Sequence, residues 1–146
     1  MEPLTSLSIM DRVLILRRVP LLTDLAPADL KRVAAISTEL DFSDGDMICE
    51  QGEPGDELYV IASGEVRVLV NHPGQPEKEI AHRVAGEVVG EMSIISGDMR
   101  AASVSATGDV HIICLDRLSF ESLLRERPEV SMAVMRELCN RLKQMM

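Results

Sequence analysis

The chain has 146 residues, 46% apolar and 27% charged, which suits one globular domain with a helical appendage and excludes a disordered or fibrous chain. With two Phe, one Tyr and no Trp, the core must be aliphatic, and readings that stack bases or sugars on exposed rings are weakened. The net charge of −9 lies in residues 41–100, where thirteen acids face only Arg67, Lys78, Arg83 and Arg100; such a chain repels phosphate backbones, and any anion site there must be built locally.

The first third reads as helix. Leu7, Met10, Val13 and Leu14 recur at three- and four-residue spacing, while Ile9, Ile15 and Leu16 spread the apolar surface beyond one face. A helix of this kind wants two partners, its own domain and a neighbouring domain or subunit. Pro20 is expected to stop it, and Pro27 to open a second helix with Leu30, Val33 and Ala34 on one side. From about residue 37 the period changes to two, and Asp44-Gly45-Asp46, Glu53-Pro54-Gly55-Asp56 and Ser63-Gly64 are turn signals. Strands are predicted at 47–50, 57–61 and 65–70, a loop over Asn71-His72-Pro73-Gly74-Gln75-Pro76, and a strand at 79–84. Two more, 101–106 and 110–115, are split by Thr107-Gly108-Asp109.

Seven or eight short strands with glycine turns predict a mainly β fold, an antiparallel β-roll of jelly-roll type with flanking helices. The expected division is an N-terminal helical segment 1–36, the roll 37–115, and C-terminal helices 116–146. Asp116 or Ser119 can cap a short helix through Leu124, and Pro128 opens a longer one towards Met146. That helix carries two apolar stripes: Val130, Val134, Leu138 and Leu142, and Met132, Met135, Cys139, Leu142 and Met146.

One segment carries a sharp chemical signal, residues 88–103. A strand ends at Gly90, a short apolar helix follows, and a loop delivers Arg100 to the next strand. Gly90 permits close backbone approach, and the first N–H groups of the helix are unpaired. Arg100 can close on an anion with a charge-assisted pair of hydrogen bonds, while the Glu91 carboxylate can accept from a hydroxyl. An anion receptor beside a hydroxyl acceptor suggests a sugar phosphate. Without its surroundings, a Glu and an Arg at this spacing would read as a surface ion pair.

The segment resembles the phosphate-binding cassette of the cyclic nucleotide-binding domain family. Gly90, Glu91, Met92, Ile94, Ile95, Arg100, Ala101 and Ala102 match its pattern in type and spacing, and the resemblance extends over nearly the whole chain. It implies that Glu91 holds the ribose 2′-hydroxyl and Arg100 the cyclic phosphate. It also implies that backbone N–H groups near Met92, Ser93 and Ala101 complete the cradle, with Val88 and Val89 lining base or ribose. Ser93 stands where Ala is usual, and Met99 replaces the common Pro, which implies a less rigid loop. Ala101 follows the Arg where cyclic-GMP-preferring relatives often carry Thr, so cAMP is the expected ligand and cGMP the alternative.

The resemblance further implies a regulatory module that moves its C-terminal helix, with Met135, Leu138, Cys139 and Leu142 as candidate lid residues, to control a fused or partner effector. Other readings are the sensor half of a catabolite-activator-like transcription regulator, whose DNA-binding domain this chain lacks, and a roll that serves only docking or oligomerisation. A homodimer through the N- or C-terminal helices is expected. No catalytic or metal site is expected: His72, His82 and His111 form no His-x-His, no G-x-S-x-G occurs, and three cysteines are too few for an iron–sulfur cluster. Cys49, Cys114 and Cys139 read as buried thiols in a reduced, cytoplasmic setting. No apolar run suits a membrane span, and Asp11, Arg12, Arg17 and Arg18 interrupt any signal-peptide pattern.

Overall fold

The computed structural model describes residues 6–146. In chain order its elements are α1 (Ile9–Leu16), α2 (Pro27–Ile36), β1 (Thr38–Phe42), β2 (Met47–Cys49), β3 (Glu57–Val70), β4 (Lys78–Val84), β5 (Val88–Val89), α3 (Glu91–Ser96), β6 (Ser103–Asp116), α4 (Arg117–Glu126) and α5 (Pro128–Gln144). They fall into two units: a β unit, Thr38–Arg117, and a helical unit made of the residues up to Ser37 together with Leu118–Met146.

The β unit is the expected antiparallel roll, built on two long strands. β3 and β6 pair from Glu57 with Asp116 to Leu69 with Ser103. β6 then pairs with β2 through its first half and β1 through its second, while β3 pairs with β5 and then β4. Each long strand therefore changes its outer neighbour midway, which curls the sheet. Inside, Ile48, Tyr59, Ile61, Val66, Val104, Val110 and Ile112 form an aliphatic core around the one tyrosine.

There are six strands among the described residues, fewer than the pattern suggested. Ser63-Gly64 and Thr107-Gly108-Asp109 do not turn the chain back. They lie opposite each other in the β3–β6 ladder, between the pairs Ser63–His111 and Glu65–Thr107, and make an irregularity where both strands bend and continue. Gly64, at φ 91°, is needed there, because a Cβ would stand 2.4 Å from the Asp109 carbonyl oxygen.

In the helical unit, α1 opens with a capping box between Ser8 and Asp11 and ends at Leu16, before Pro20. Short-range turns, Val19 to Leu16, Leu22 to Val19 and Leu25 to Leu22, then carry the chain to α2 while burying these apolar side chains. Pro20 disfavours helical geometry at Val19, so the helix gives way before the proline itself. Arg12 donates to the carbonyls of Ala34 and Ser37 and ties α1 to the end of α2. Asp29, 2% exposed, is held by Arg127 at 2.9 Å. On α5, Val130, Ala133 and Val134 are buried, while Met132, Met135 and Leu142 remain exposed. Of the three thiols only Cys114 is fully buried; Cys139 is exposed, because it lies on the outward stripe of α5, and this corrects the expectation of buried cysteines.

His111 on β6 sits between two carboxylates of β1, Nδ1 at 2.5 Å from Asp41 and Nε2 at 2.6 Å from Glu39. Only the imidazolium donates to both. Burial opposes its charge, but the hydrogen bonds to Asp41 and Glu39 and their charges prevail, so the pKa is raised above 6.5. That stabilisation is complete below the unfolded-state value and is lost as pH rises through the folded-state value. The melting temperature should therefore fall as pH rises above about 6.5, and His111→Asn should flatten this dependence in thermal unfolding monitored by circular dichroism.

Candidate functional site

The site grows from the end of β5. Val88 and Val89 are buried and pair with Val60 and Tyr59 of β3. Gly90 then takes φ 85° as the N-cap of α3, and Gly97 ends that helix with φ 79°. As at any helix start, the first-turn N–H groups of α3 have no intrahelical acceptor.

Arg100 follows on a loop whose backbone is clamped. Its N–H donates to the Glu53 carbonyl at 2.7 Å, and its own carbonyl accepts from Gly52 N–H at 2.9 Å. Met99, beside it, forms an isolated bridge with Pro54. Gly52 and Glu53 thus supply the hydrogen bonds that restrain the loop at Arg100.

The Arg100 side chain turns inward and is 5% exposed. Nη2 donates to the Glu57 carbonyl at 2.5 Å, Nη1 reaches the Gly90 carbonyl at 3.4 Å, and the guanidinium lies 5.2 Å over the Tyr59 ring. Among the described residues Arg100 forms no ion pair; its partners are carbonyl dipoles and a π face. Gly90 makes room for it, since a Cβ there would stand 2.3 Å from Nη1.

Three weak acids near this cation, Tyr59, Cys49 and Cys114, are held in their neutral forms. Burial, reinforced by the Glu57 charge, raises the Tyr59 pKa against the opposing pull of Arg100. Burial likewise raises Cys49, with Arg100 again opposing. Cys114 is raised by burial and by its hydrogen bond to Glu57.

These elements enclose a cavity of about 240 Å³. Val88, Val89, Gly90, Glu91, Ser93, Arg100, Ala101 and Ala102 line it, so the roll brings the segment singled out in the sequence to one place. Met92 lies within α3, and its side chain falls outside the described residues. Of the candidate lid residues, Met135, Cys139 and Leu142 are exposed on α5 and Leu138 is half-buried. The other wall, Cys49, Val68, Ile80, Ala81, Arg83 and Val104, was not singled out in the sequence. Only strand alternation pointed to it, with Ala81 and Arg83 sharing one face of β4. Tyr59 and the carbonyl of Glu57, which hold Arg100, carried no local signal.

The sequence profile of the cyclic nucleotide-binding domain matches residues 39–127. The chain belongs to this family. It is 30% identical over 129 residues to the CRP-like cAMP-activated global transcriptional regulator of Mycobacterium tuberculosis, covering 88% of this chain and 58% of that protein. Among solved structures, it is similar to the N-terminal domain of a transcriptional regulator from Streptomyces coelicolor A3(2), with TM-score 0.82, 30% identity, and coverage of 90% of this chain and 92% of that one. The regulatory domain of Toxoplasma gondii PKA, solved with cAMP, gives TM-score 0.78 at 29% identity, over 90% of this chain and 50% of that one. No described helix is long and apolar enough to cross a membrane.

Replacing Gly90 tests how the cation is housed. Gly90→Ala must strain the backbone and displace the guanidinium, whereas Gly45→Ala has a similar φ of 83° with nothing within 4 Å. Gly45→Ala should cost about 1–2 kcal/mol in urea unfolding, and Gly90→Ala clearly more.

Proposed function

We propose that the chain is a regulatory cyclic nucleotide-binding module. The observation that carries this reading is the buried Arg100 guanidinium, which lines a cavity without an ion-pair partner among the described residues. A buried cation held only by carbonyls and a ring is ready for an anion, and a cyclic phosphate supplies one with two acceptor oxygens. The first-turn N–H groups of α3 at Met92 and Ser93, with that of Ala101, complete the cradle. Glu91 accepts from the ribose 2′-hydroxyl, and Val88 and Val89 contact the ribose or base. Ala101 offers the base no hydroxyl, which leaves cAMP favoured over cGMP.

The module works by binding rather than by chemistry, in the cytoplasm, and passes its state to a fused or partner effector through the helices of 116–146 that follow the roll. A bound nucleotide favours one pose of α5 only through contacts it makes better there. The exposed Met135, Cys139 and Leu142, with Leu138, are the side chains offered for those contacts, and methionine suits a surface that repacks. The apolar stripe on α5 and the exposed Ile9, Met10 and Leu14 on α1 are the surfaces for a homodimer. The chain spans 58% of the Mycobacterium tuberculosis regulator. That partial coverage favours, as a second reading, the sensor half of a transcription regulator.

Arg100→Ala should cost about 2–3 kcal/mol of binding by removing hydrogen bonds to a charged group, a loss of at least about tenfold in calorimetry. Equal affinity of the variant and wild type would sink the assignment. Glu91→Ala should weaken cAMP and leave the affinity for 2′-deoxy-cAMP nearly unchanged. In hydrogen exchange, cAMP should protect residues 128–146 as well as 90–100. Protection confined to 90–100 would mean binding without transmission.

A further inference from the structure

Arg83 is the second basic residue of the cavity wall. Residues 41–100 hold thirteen acids and only four bases, and two of those bases, Arg83 and Arg100, line the same cavity. On the neighbouring positions of β3 and β4, Arg67 pairs with Glu79 at 2.7 Å and the His82 ring lies 2.9 Å from the Glu65 carboxylate. Arg67 and His82 are register partners on the outer face of the sheet. Arg83 faces the other way. Its register partner is Val66, which is 0% exposed, and its guanidinium donates to the carbonyl of His82 at 3.1 Å. Among the described residues it forms no ion pair. A half-buried arginine thus stands at a position of β4 that faces the cavity, and its guanidinium keeps donors to spare.

Resting on the cyclic-nucleotide reading, we propose that Arg83 reads the edge of a purine base. The phosphate end of the ligand is held by Arg100 and the start of α3, so the base extends towards the opposite wall, where Ala81 and Arg83 share one face of β4. A guanidinium donates and never accepts. It therefore pairs with N7 of either purine, and with N7 and O6 together only in guanine, whose bidentate match to arginine is the strongest of the base contacts. Adenine presents its N6 amino donor at the position of O6 and is held through N7 alone. Arg83 thus supports both purine cyclic nucleotides, cGMP more than cAMP, and narrows the preference for cAMP that Ala101 leaves.

β4 is the edge strand of the sheet, and an inward charge on an edge also deters strand-to-strand aggregation. Ligand affinities separate these roles. Calorimetry on the 146-residue chain would compare cAMP, cGMP, cCMP and 7-deaza-cAMP with wild type and Arg83→Leu. Arg83→Leu should weaken cGMP by about tenfold or more and cAMP by about threefold, leaving cCMP unchanged. Wild type should bind 7-deaza-cAMP, which lacks the N7 acceptor, as weakly as Arg83→Leu binds cAMP, a comparison that does not depend on how well the variant folds. Equal weakening of cAMP, cGMP and cCMP would make Arg83 a second phosphate ligand and overturn the inference. Unchanged affinities for all four would leave edge protection as its role and overturn the inference as well. If wild type binds no cyclic nucleotide, the binding reading and this inference fall together; if it binds normally and only the base dependence is missing, the inference alone falls.

Discussion

A positive charge is buried in the most acidic part of an acidic chain, and among the described residues it forms no ion pair with a carboxylate. Burying a cation costs far more than burying a neutral polar group, so its surroundings must return part of its lost hydration. Here the return comes from carbonyl dipoles of Glu57 and Gly90 and from the face of Tyr59. Each requirement constrains a different element. Glu57 and Tyr59 must start β3, Gly90 must lack a side chain and carry a positive φ, and the loop before β6 must be pinned to the 52–55 turn. The only tyrosine of the chain sits under the cation, not on the surface.

The distribution of acids matters as much as the cation. With Cys49 kept neutral by burial, the charged side chains that line the cavity are the guanidiniums of Arg83 and Arg100 and the carboxylate of Glu91. Acidic side chains such as Glu65 and Glu79 are spent on outer-face pairs with His82 and Arg67. The net negative charge of the domain therefore does not extend uniformly into its interior. An anion meets a repulsive exterior and an attractive cavity, which favours a small ligand over a polyanion.

Local patterns read well from the sequence, and pairings across the sheet did not. Alternation and glycine punctuation marked the roll, and Gly90, Glu91 and Arg100 marked a segment that lines one cavity, because both are written in contiguous residues. The merging of four expected strands into β3 and β6 was invisible, since Ser63-Gly64 reads the same whether it closes a hairpin or kinks a strand opposite Gly108. The far wall was hidden for a related reason. Arg83 joins the site only through its register with Val66, and a strand pattern does not state its partner. The exposure of Cys139 depends on which apolar face α5 buries, a choice that periodicity leaves open when two faces are apolar.

The pairing of β3 with β6 also has a temporal side. Glu57 meets Asp116 and Leu69 meets Ser103, so the ladder closes a long loop, and the 88–102 segment lies inside it. Closing such a loop is entropically slow, and contacts so distant in sequence delay folding. As the polypeptide leaves the ribosome, β3 waits without its main partner until residues 103–116 have emerged. Arg100 is synthesised before β6 exists, but its cradle rests on a sheet that β6 completes. The cavity is therefore a late product of synthesis, and no shorter nascent chain can possess it.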